Sequence, residues 1–187
     1  MEGGFFSGQL LIAMPGIGDP RFERAVILVC AHDAEHAMGL AVNRPVEGLT
    51  VPDLLEKLDI KSTIHLPDDL VLMGGPVETQ RGFVLHTDDY GLEHSLRVGC
   101  GVALTATREA LEAMVDPTGP PRRSLLALGY AGWGAGQLEN ELKENVWLTC
   151  EADEGLIFGD DYEGKWKQAL AKLGIDPQFL GSAAGRA

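Results

Sequence analysis

The sequence predicts a mixed α/β (α+β) fold, on three observations. Short apolar, β-prone runs come in hairpin-like pairs; segments of helical periodicity with their own start signals lie between them; and no repeat, linker or charge block divides the chain. The 187 residues, 45% of them hydrophobic and 23% charged, suffice for a single domain over residues 1–187 with its own core. Its 24 glycines and 6% aromatic content point to many turns and close backbone approaches, and the apolar fraction excludes intrinsic disorder.

Residues 9–14, 25–30 and 38–42 read as strands, the first two separated by a turn-rich stretch holding Pro15, Gly16, Gly18, Asp19 and Pro20. The second is apolar throughout, as for a central strand covered on both faces, and the third follows closely enough to be its hairpin partner. Thr50 then opens a helix. Its hydroxyl can cap the amide three residues on, Pro52 sits in the first turn, Asp53 suits the positive end of the dipole, and Leu54, Leu55 and Leu58 form an apolar stripe. After the polar stretch 61–69, residues 70–73 and 82–86 read as strands flanking Gly74-Gly75-Pro76-Val77, and 95–98 as a further strand. Thr107 caps a second helix in which Ala110, Leu111 and Met114 recur at helical spacing before Asp116-Pro117 ends it. The apolar run 124–128 leads into the glycine-rich loop Gly129-Tyr130-Ala131-Gly132-Trp133-Gly134. A third helix over 137 to about 145 places Leu138 and Leu142 on one face, and 146–150 return to strand. Residues 161–173 are amphipathic, with Trp166, Leu170 and Leu173 on one side and Gly174 in the C′ position.

Composition narrows the function classes. A net charge of −13 repels a duplex phosphate backbone in the mean field, so direct nucleic-acid binding would need a local basic patch. The first residues carry Glu2 instead of the Lys or Arg of a signal peptide, and the apolar run at 10–15 is too short for an h-region. No window approaches the ~20 apolar residues of a membrane helix. Cys30, Cys100 and Cys150 are odd in number and far apart, which supports neither a disulfide framework nor a zinc ribbon and fits a reducing cytoplasm.

Several segments could carry chemistry. His32-Asp33-Ala34-Glu35-His36 matches the H-x-x-E-H zinc pattern, but that geometry needs a helix and the pentapeptide falls in a hairpin loop, so a solvated turn is the favoured reading. Cys30 and His32 are two residues apart on a strand, which would put both side chains on one face; without a lowered thiol pKa the cysteine reads as packing. His86 reads as a hydrogen-bonded strand terminus rather than a base. The turns at Asn43-Arg44-Pro45 and Gly74-Gly75-Pro76 permit close backbone approach, but GxxxxGK[ST] and strand–GxGxxG–helix patterns are absent, leaving a nucleotide cofactor unsupported. Tyr130, Trp133, Gln137, Glu139 and Glu141 follow or overlap the glycine-rich loop near a helix start, which suits a pocket rim as well as a loop folded over the core.

Together these segments resemble the bacterial AlgH/YqgE family. The likeness runs over nearly the whole chain, from Leu11-Ile12-Ala13-Met14-Pro15 with Asp19-Pro20 and Phe22, through Ala37-Met38-Gly39-Leu40 and Asn43-Arg44-Pro45. It continues with Gly74-Gly75-Pro76-Val77, Arg81-Gly82-Phe83-Val84-Leu85-His86, Leu128-Gly129-Tyr130-Ala131-Gly132-Trp133, Gly136-Gln137-Leu138-Glu139 with Glu141, and Trp147-Leu148. Similar members carry a glycine near His36, which makes the second histidine of the zinc pattern accidental, whereas Cys30 and His32 fall where members carry such residues. The resemblance implies a split, largely antiparallel sheet curled into a partial barrel with flanking helices. It also implies a regulatory role, since the family takes its name from one proposed in alginate synthesis and members are often labelled transcriptional regulators, without a recognised DNA-binding motif.

The expectation is therefore a cytoplasmic protein that acts in regulation by binding a protein partner or a small ligand, with no cofactor, no metal, no membrane association and no assigned catalytic set. Its ligand site is placed where the loops after Asn43-Arg44-Pro45, Gly74-Gly75-Pro76 and Gly129 converge, drawing on Asn43, Arg44, Gly74, Gly75, Pro76, His86, Tyr130, Trp133 and Gln137. The rival readings are a hydrolase dependent on Cys30 and His32 or on His86, and a DNA-binding regulator, which the charge disfavours.

Overall fold

The computed structural model describes residues 6–15, 17–61, 70–89, 95–106, 108–117 and 121–178. Its strands are β1 (Gln9–Ala13), β2 (Val26–His32), β3 (His36–Ala41), β4 (Pro45–Thr50), β5 (Leu70–Met73), β6 (Val77–Thr87), β7 (Leu96–Gly99), β8 (Val102–Thr105), β9 (Ser124–Gly134) and β10 (Trp147–Glu151). The helices are α1 (Val51–Lys57), α2 (Arg108–Met114), α3 (Gln137–Lys143), α4 (Glu154–Phe158) and α5 (Lys165–Lys172). The sheet runs β10-β1-β2-β3-β9-β6-β8-β7, every pair in that path antiparallel, and the β4–β5 pair joins it through a parallel contact of β5 with β9.

The sheet curls until its ends approach. The Gly8 amide donates to Val29 O (2.9 Å), and a Cβ on Gly8 would stand 3.1 Å from Val98 O, so β7 closes against the corner where the chain enters β1 beside β2. Only a residue without a side chain fits there, at φ +85°. Alternation then sorts the strands into faces. Leu10, Ile12, Val26, Leu28, Cys30, Leu40, Phe83, Leu85 and Leu104 point into the half-barrel, which α4 and α5 plug at one end with Leu156, Ile157, Trp166 and Leu170. Trp166 also donates its Nε1 hydrogen to Ala13 O (2.8 Å), tying α5 to β1. Burying such side chains contributes about 1.5–3 kcal/mol each.

On the outside, Leu11, Ile27, Val29, Trp133 and Trp147 pack under α3, whose Leu138 is fully buried among them. Val71, Val84 and Leu126 pack under α1 and α2. The N-cap predicted at the start of α1 is present, Asp53 N donating to Thr50 Oγ1 (3.2 Å), and Thr50 N donates back to Asp53 Oδ2 (3.3 Å), which completes a capping box.

Several elements differ from expectation for identifiable reasons. The segment from Gly129 to Gly134 is no loop but the second half of β9. Its glycines serve close packing: Gly129 adopts φ +75°, and a Cβ there would run into Gly75 O. That conformation shifts the alternation, so that Leu126 and Leu128 face outward before Gly129 while Tyr130 faces inward after it. β4, β8 and α4 were not read from the sequence, being short and half-buried or lacking a clean period. In α5 the buried face is Lys165, Trp166, Ala169 and Leu170, with Leu173 left 40% exposed as the C-cap. Leu58 likewise lies past the end of α1 and is 39% exposed. The cap expected at Thr107 lies outside the described residues.

Candidate functional site

The end of the half-barrel opposite the α4–α5 plug is open, and a cavity of about 610 Å³ occupies it. Ala31, Met38, Phe83, Leu96, Leu104 and Tyr130 form its largely apolar wall, with Arg81 and His36 on the rim. Each is delivered by a strand. A bulge in β2 between Val29 and Ala31 turns Ala31 toward the cavity, and the shift at Gly129 turns Tyr130 inward, edge-on to Phe83 with centroids 5.8 Å apart. The Arg81 guanidinium stands 5.1 Å from the Phe83 ring centre and 3.6 Å from Glu78, so a cation lies on the aromatic wall at the entrance. Burial and the neighbouring Glu78 carboxylate raise the Tyr130 phenol above its ordinary value, keeping it a neutral hydrogen-bonding group. Leu96, 42% exposed, adds an apolar lip.

A second cavity of about 610 Å³ lies between residues 14–24 and α5, lined by Asp19, Glu23, Arg24, Trp166 and Lys167 among others. Arg24 folds over Trp166 there at 5.3 Å, and the lining is mostly loop and charged surface. The barrel mouth, concave and apolar with a few polar groups at one side, has the character of a small-molecule site.

Of the residues proposed from sequence, Tyr130 and Trp133 line this mouth. The others lie elsewhere. Asn43 accepts from Val26 N (2.9 Å) and donates to Arg24 O (2.8 Å), while Arg44 donates to Glu23 O (2.8 Å) and Pro20 O (3.2 Å), so both anchor the segment before β2. Gly74 and Gly75 do converge with Gly129 and, through Met73 N donating to Arg44 O (2.7 Å), with the Asn43-Arg44 turn. The convergence is backbone against backbone: a Cβ on Gly75 would overlap the Tyr130–Ala131 peptide, leaving no cleft between them. Pro76 follows as a bend before β6. Gln137 accepts from Gly134 N (2.9 Å) and donates to Glu141 (2.9 Å), whose other carboxylate oxygen accepts from both Trp133 Nε1 (3.0 Å) and Trp147 Nε1 (2.8 Å). These four side chains clamp α3 onto the outer face of the sheet. His86 pairs with Ser124, six positions along β9 from Tyr130 and thus roughly 20 Å away at ~3.4 Å per residue.

Cys30 and His32 do not form a pair. The β2 bulge places Cys30 inside the half-barrel and His32 outside, where it stacks on Phe6 (5.7 Å) and accepts from Phe6 N at Nδ1 (3.2 Å), directing Nε2 to Glu139 at 3.3 Å. Burial pushes the Cys30 thiol up to about 12, and its Sγ–H turns to Leu28 O (3.5 Å). A thiolate nucleophile is thus disfavoured at this position. His36 sits beyond the hairpin turn with its side chain 58% exposed, 3.2 Å from Asp33.

Sequence reasoning missed Arg81, Phe83, Leu96 and Leu104 as cavity residues. Their positions on separate strands give no local signal. It also missed Lys165, whose spacing one residue before Trp166 could have placed it on the buried face.

The AlgH-like family, DUF179, matches residues 10–178. The chain belongs to that family. A UPF0301 protein of Caulobacter vibrioides is 64% identical over 187 residues, covering 100% of this chain and 96% of the relative. A UPF0301 protein of a Bradyrhizobium species is 53% identical, covering 100% of this chain and 89% of the relative. Among solved structures, the solution structure of the AlgH protein from Pseudomonas aeruginosa is similar with a TM-score of 0.77 and 39% identity, covering 100% of this chain and 98% of that one. The crystal structure of protein DIP2367 from Corynebacterium diphtheriae shares the fold, with a TM-score of 0.74 at 16% identity over 96% of this chain and 94% of that one. Both likenesses span the half-barrel and its helices, as expected from the resemblance read in the sequence.

Proposed function

We propose that this AlgH-like protein is a cytoplasmic regulatory protein that binds a small apolar or aromatic ligand in the mouth of its half-barrel, a partner then reading the occupied state. The observation that carries this reading is the open cavity walled by Phe83, Leu96, Leu104 and Tyr130 at the unplugged end of the barrel. Occupancy would bridge the two halves of the sheet at its open end: Ala31 and Met38 from one half, Phe83 and Leu104 from the other. A ligand that does so couples binding to the curl of the sheet, which is the physical content of a regulatory switch. In place of direct operator contact, the net charge of −13 favours a ligand-dependent protein partner.

The test is a titration with 1-N-phenylnaphthylamine, a neutral apolar fluorophore, against the full chain and against Met38→Trp, which fills the mouth. Saturable binding of one probe per chain is expected, weakened at least ~10-fold (about 1.4 kcal/mol) by the substitution. Absence of saturable binding, or equal affinity in the filled variant, overturns the assignment.

A further inference from the structure

On the outer face of the sheet, across β7 and β8 from the cavity, a run of hydrogen-bonded side chains has a defined direction. His86 is fully buried, with Nδ1 3.0 Å from Thr87 O and Nε2 2.8 Å from Thr105 Oγ1; that oxygen lies 2.6 Å from Ser95 Oγ. A carbonyl oxygen only accepts, so Nδ1 carries the proton, and in the neutral ring Nε2 accepts from the Thr105 hydroxyl. Thr105 Oγ1 is left as the acceptor for the Ser95 hydroxyl. The result is a one-way path from a partly exposed serine, through a buried threonine, to a buried imidazole.

Strand pairing builds this path. Val84 stands opposite Thr105 and Leu96 opposite Leu104, which puts Ser95 across from Thr105 on the outer face, while Leu96 and Leu104 line the cavity on the inner one. A histidine with a purely packing role needs partners for its two ring nitrogens, and Thr87 O and Thr105 already supply them. The further link to Ser95 extends the base's reach toward the surface.

We propose that Ser95 is a nucleophile toward activated acyl esters, with His86 as its base acting through the Thr105 hydroxyl. Ser95 Oγ bonds to the ester carbonyl carbon while its proton passes to Thr105 Oγ1 and the Thr105 proton passes to His86 Nε2. The carbon–alkoxy bond then breaks, the departing alkoxide takes the proton of the Thr105 hydroxyl and leaves as an alcohol, and His86 Nε2 returns its proton to Thr105 Oγ1. Water, delivered from solvent and deprotonated by the same relay, releases the acid and restores the serine. Ser95 and Thr105, which meet the reacting atoms, are the catalytic residues, and His86 is a positioning residue acting through Thr105. This activity is independent of the cavity reading, since the two sites occupy opposite faces of β7 and β8.

The probe is diisopropyl fluorophosphate on the full chain. Ser95 Oγ forms the phosphorus–oxygen bond, the phosphorus–fluorine bond breaks with loss of fluoride, and the serine proton ends on His86. Intact-mass measurement and peptide mapping are expected to show a single adduct on Ser95 in the wild type and none in Ser95→Ala. Thr105→Val, close in volume but without the hydroxyl, is expected to label about 100-fold more slowly, and Thr105→Ser to recover to within a few-fold of wild type. No adduct on Ser95 in the folded wild-type protein overturns the proposal, whether or not any variant folds. So does labelling of Thr105→Val at the wild-type rate, or of Thr105→Ser as slowly as Thr105→Val.

Discussion

Lys165 is a buried cation, 1% exposed. It survives there because its Nζ donates to Val42 O (2.8 Å) and Ile157 O (2.9 Å), the second of these in the last turn of α4 where the helix dipole favours positive charge, and because it stands 5.2 Å from the Tyr162 ring centre. One side chain thus joins α5, α4 and the end of the β3 hairpin. Burial lowers its pKa to about 8, against the opposing pull of Asp160 and Asp161. The unfolded chain keeps the ordinary value of 10.5, so between about 8 and 10.5 the unfolded state binds more protons than the folded one and stability from this group rises with pH. The raised thiol of Cys30 acts oppositely, stabilising below its ordinary 9.0 and losing that contribution above it. The window from pH 8 to 9 isolates the lysine. Thermal unfolding over that window is expected to show a rise in Tm for the wild type that Lys165→Met lacks; parallel profiles would show that Lys165 carries no such coupling.

At the scale of elements, β9 decides the architecture. It pairs with β3, β6 and β5, and its change of face at Gly129 lets one strand serve both halves of the sheet. Gly129→Ala is expected to cost about 1–2 kcal/mol for the left-handed backbone, plus the displacement of β5–β6 by the clash with Gly75 O, for a total of roughly 3 kcal/mol or more. Gly136, also left-handed at φ +72° but facing open space, supplies the control: Gly136→Ala should lose only the backbone share of about 1–2 kcal/mol. Denaturant midpoints at equal m-values compare the two, and equal losses would refute the close-packing role. The same strand shows what the sequence made legible. The β2–β3 hairpin and the Thr50 N-cap of α1 followed from local pattern and turn chemistry. β9 did not, because glycine marks a loop by propensity whereas here it is required by the backbone of a neighbouring strand. The cavity was legible only at Tyr130 and Trp133, since Arg81, Phe83, Leu96 and Leu104 meet through pairings between strands far apart in sequence.

For the whole molecule, the half-barrel has one end plugged by helices and one end open, and this asymmetry leaves the mouth as the concave apolar surface suited to a ligand. Charge sets what else can approach. Among the described residues Arg44, Arg122 and Lys172 are engaged by backbone carbonyls or carboxylates: Arg44 on Pro20 O and Glu23 O, Arg122 on Glu154 at 2.5 and 3.0 Å, and Lys172 on Asp153 at 2.8 Å. Arg21 is likewise held by Asp19 at 2.8 Å. Of these four, Arg21, Arg122 and Lys172 are thereby paired with carboxylates, on a chain whose net charge is −13. Since affinity for duplex DNA comes largely from displacing counterions with Lys and Arg, weak duplex binding is the expected outcome for a chain of this net charge. A fluorescence-anisotropy titration of duplex DNA at ~0.15 M ionic strength is expected to show weak binding without sequence preference. Lowering the salt should change it only slightly, because few phosphates are neutralised. Nanomolar, sequence-specific binding with a steep salt dependence would instead require a basic surface formed by a second chain or by ligand-driven rearrangement of these ion pairs, and would make the protein a DNA-binding regulator.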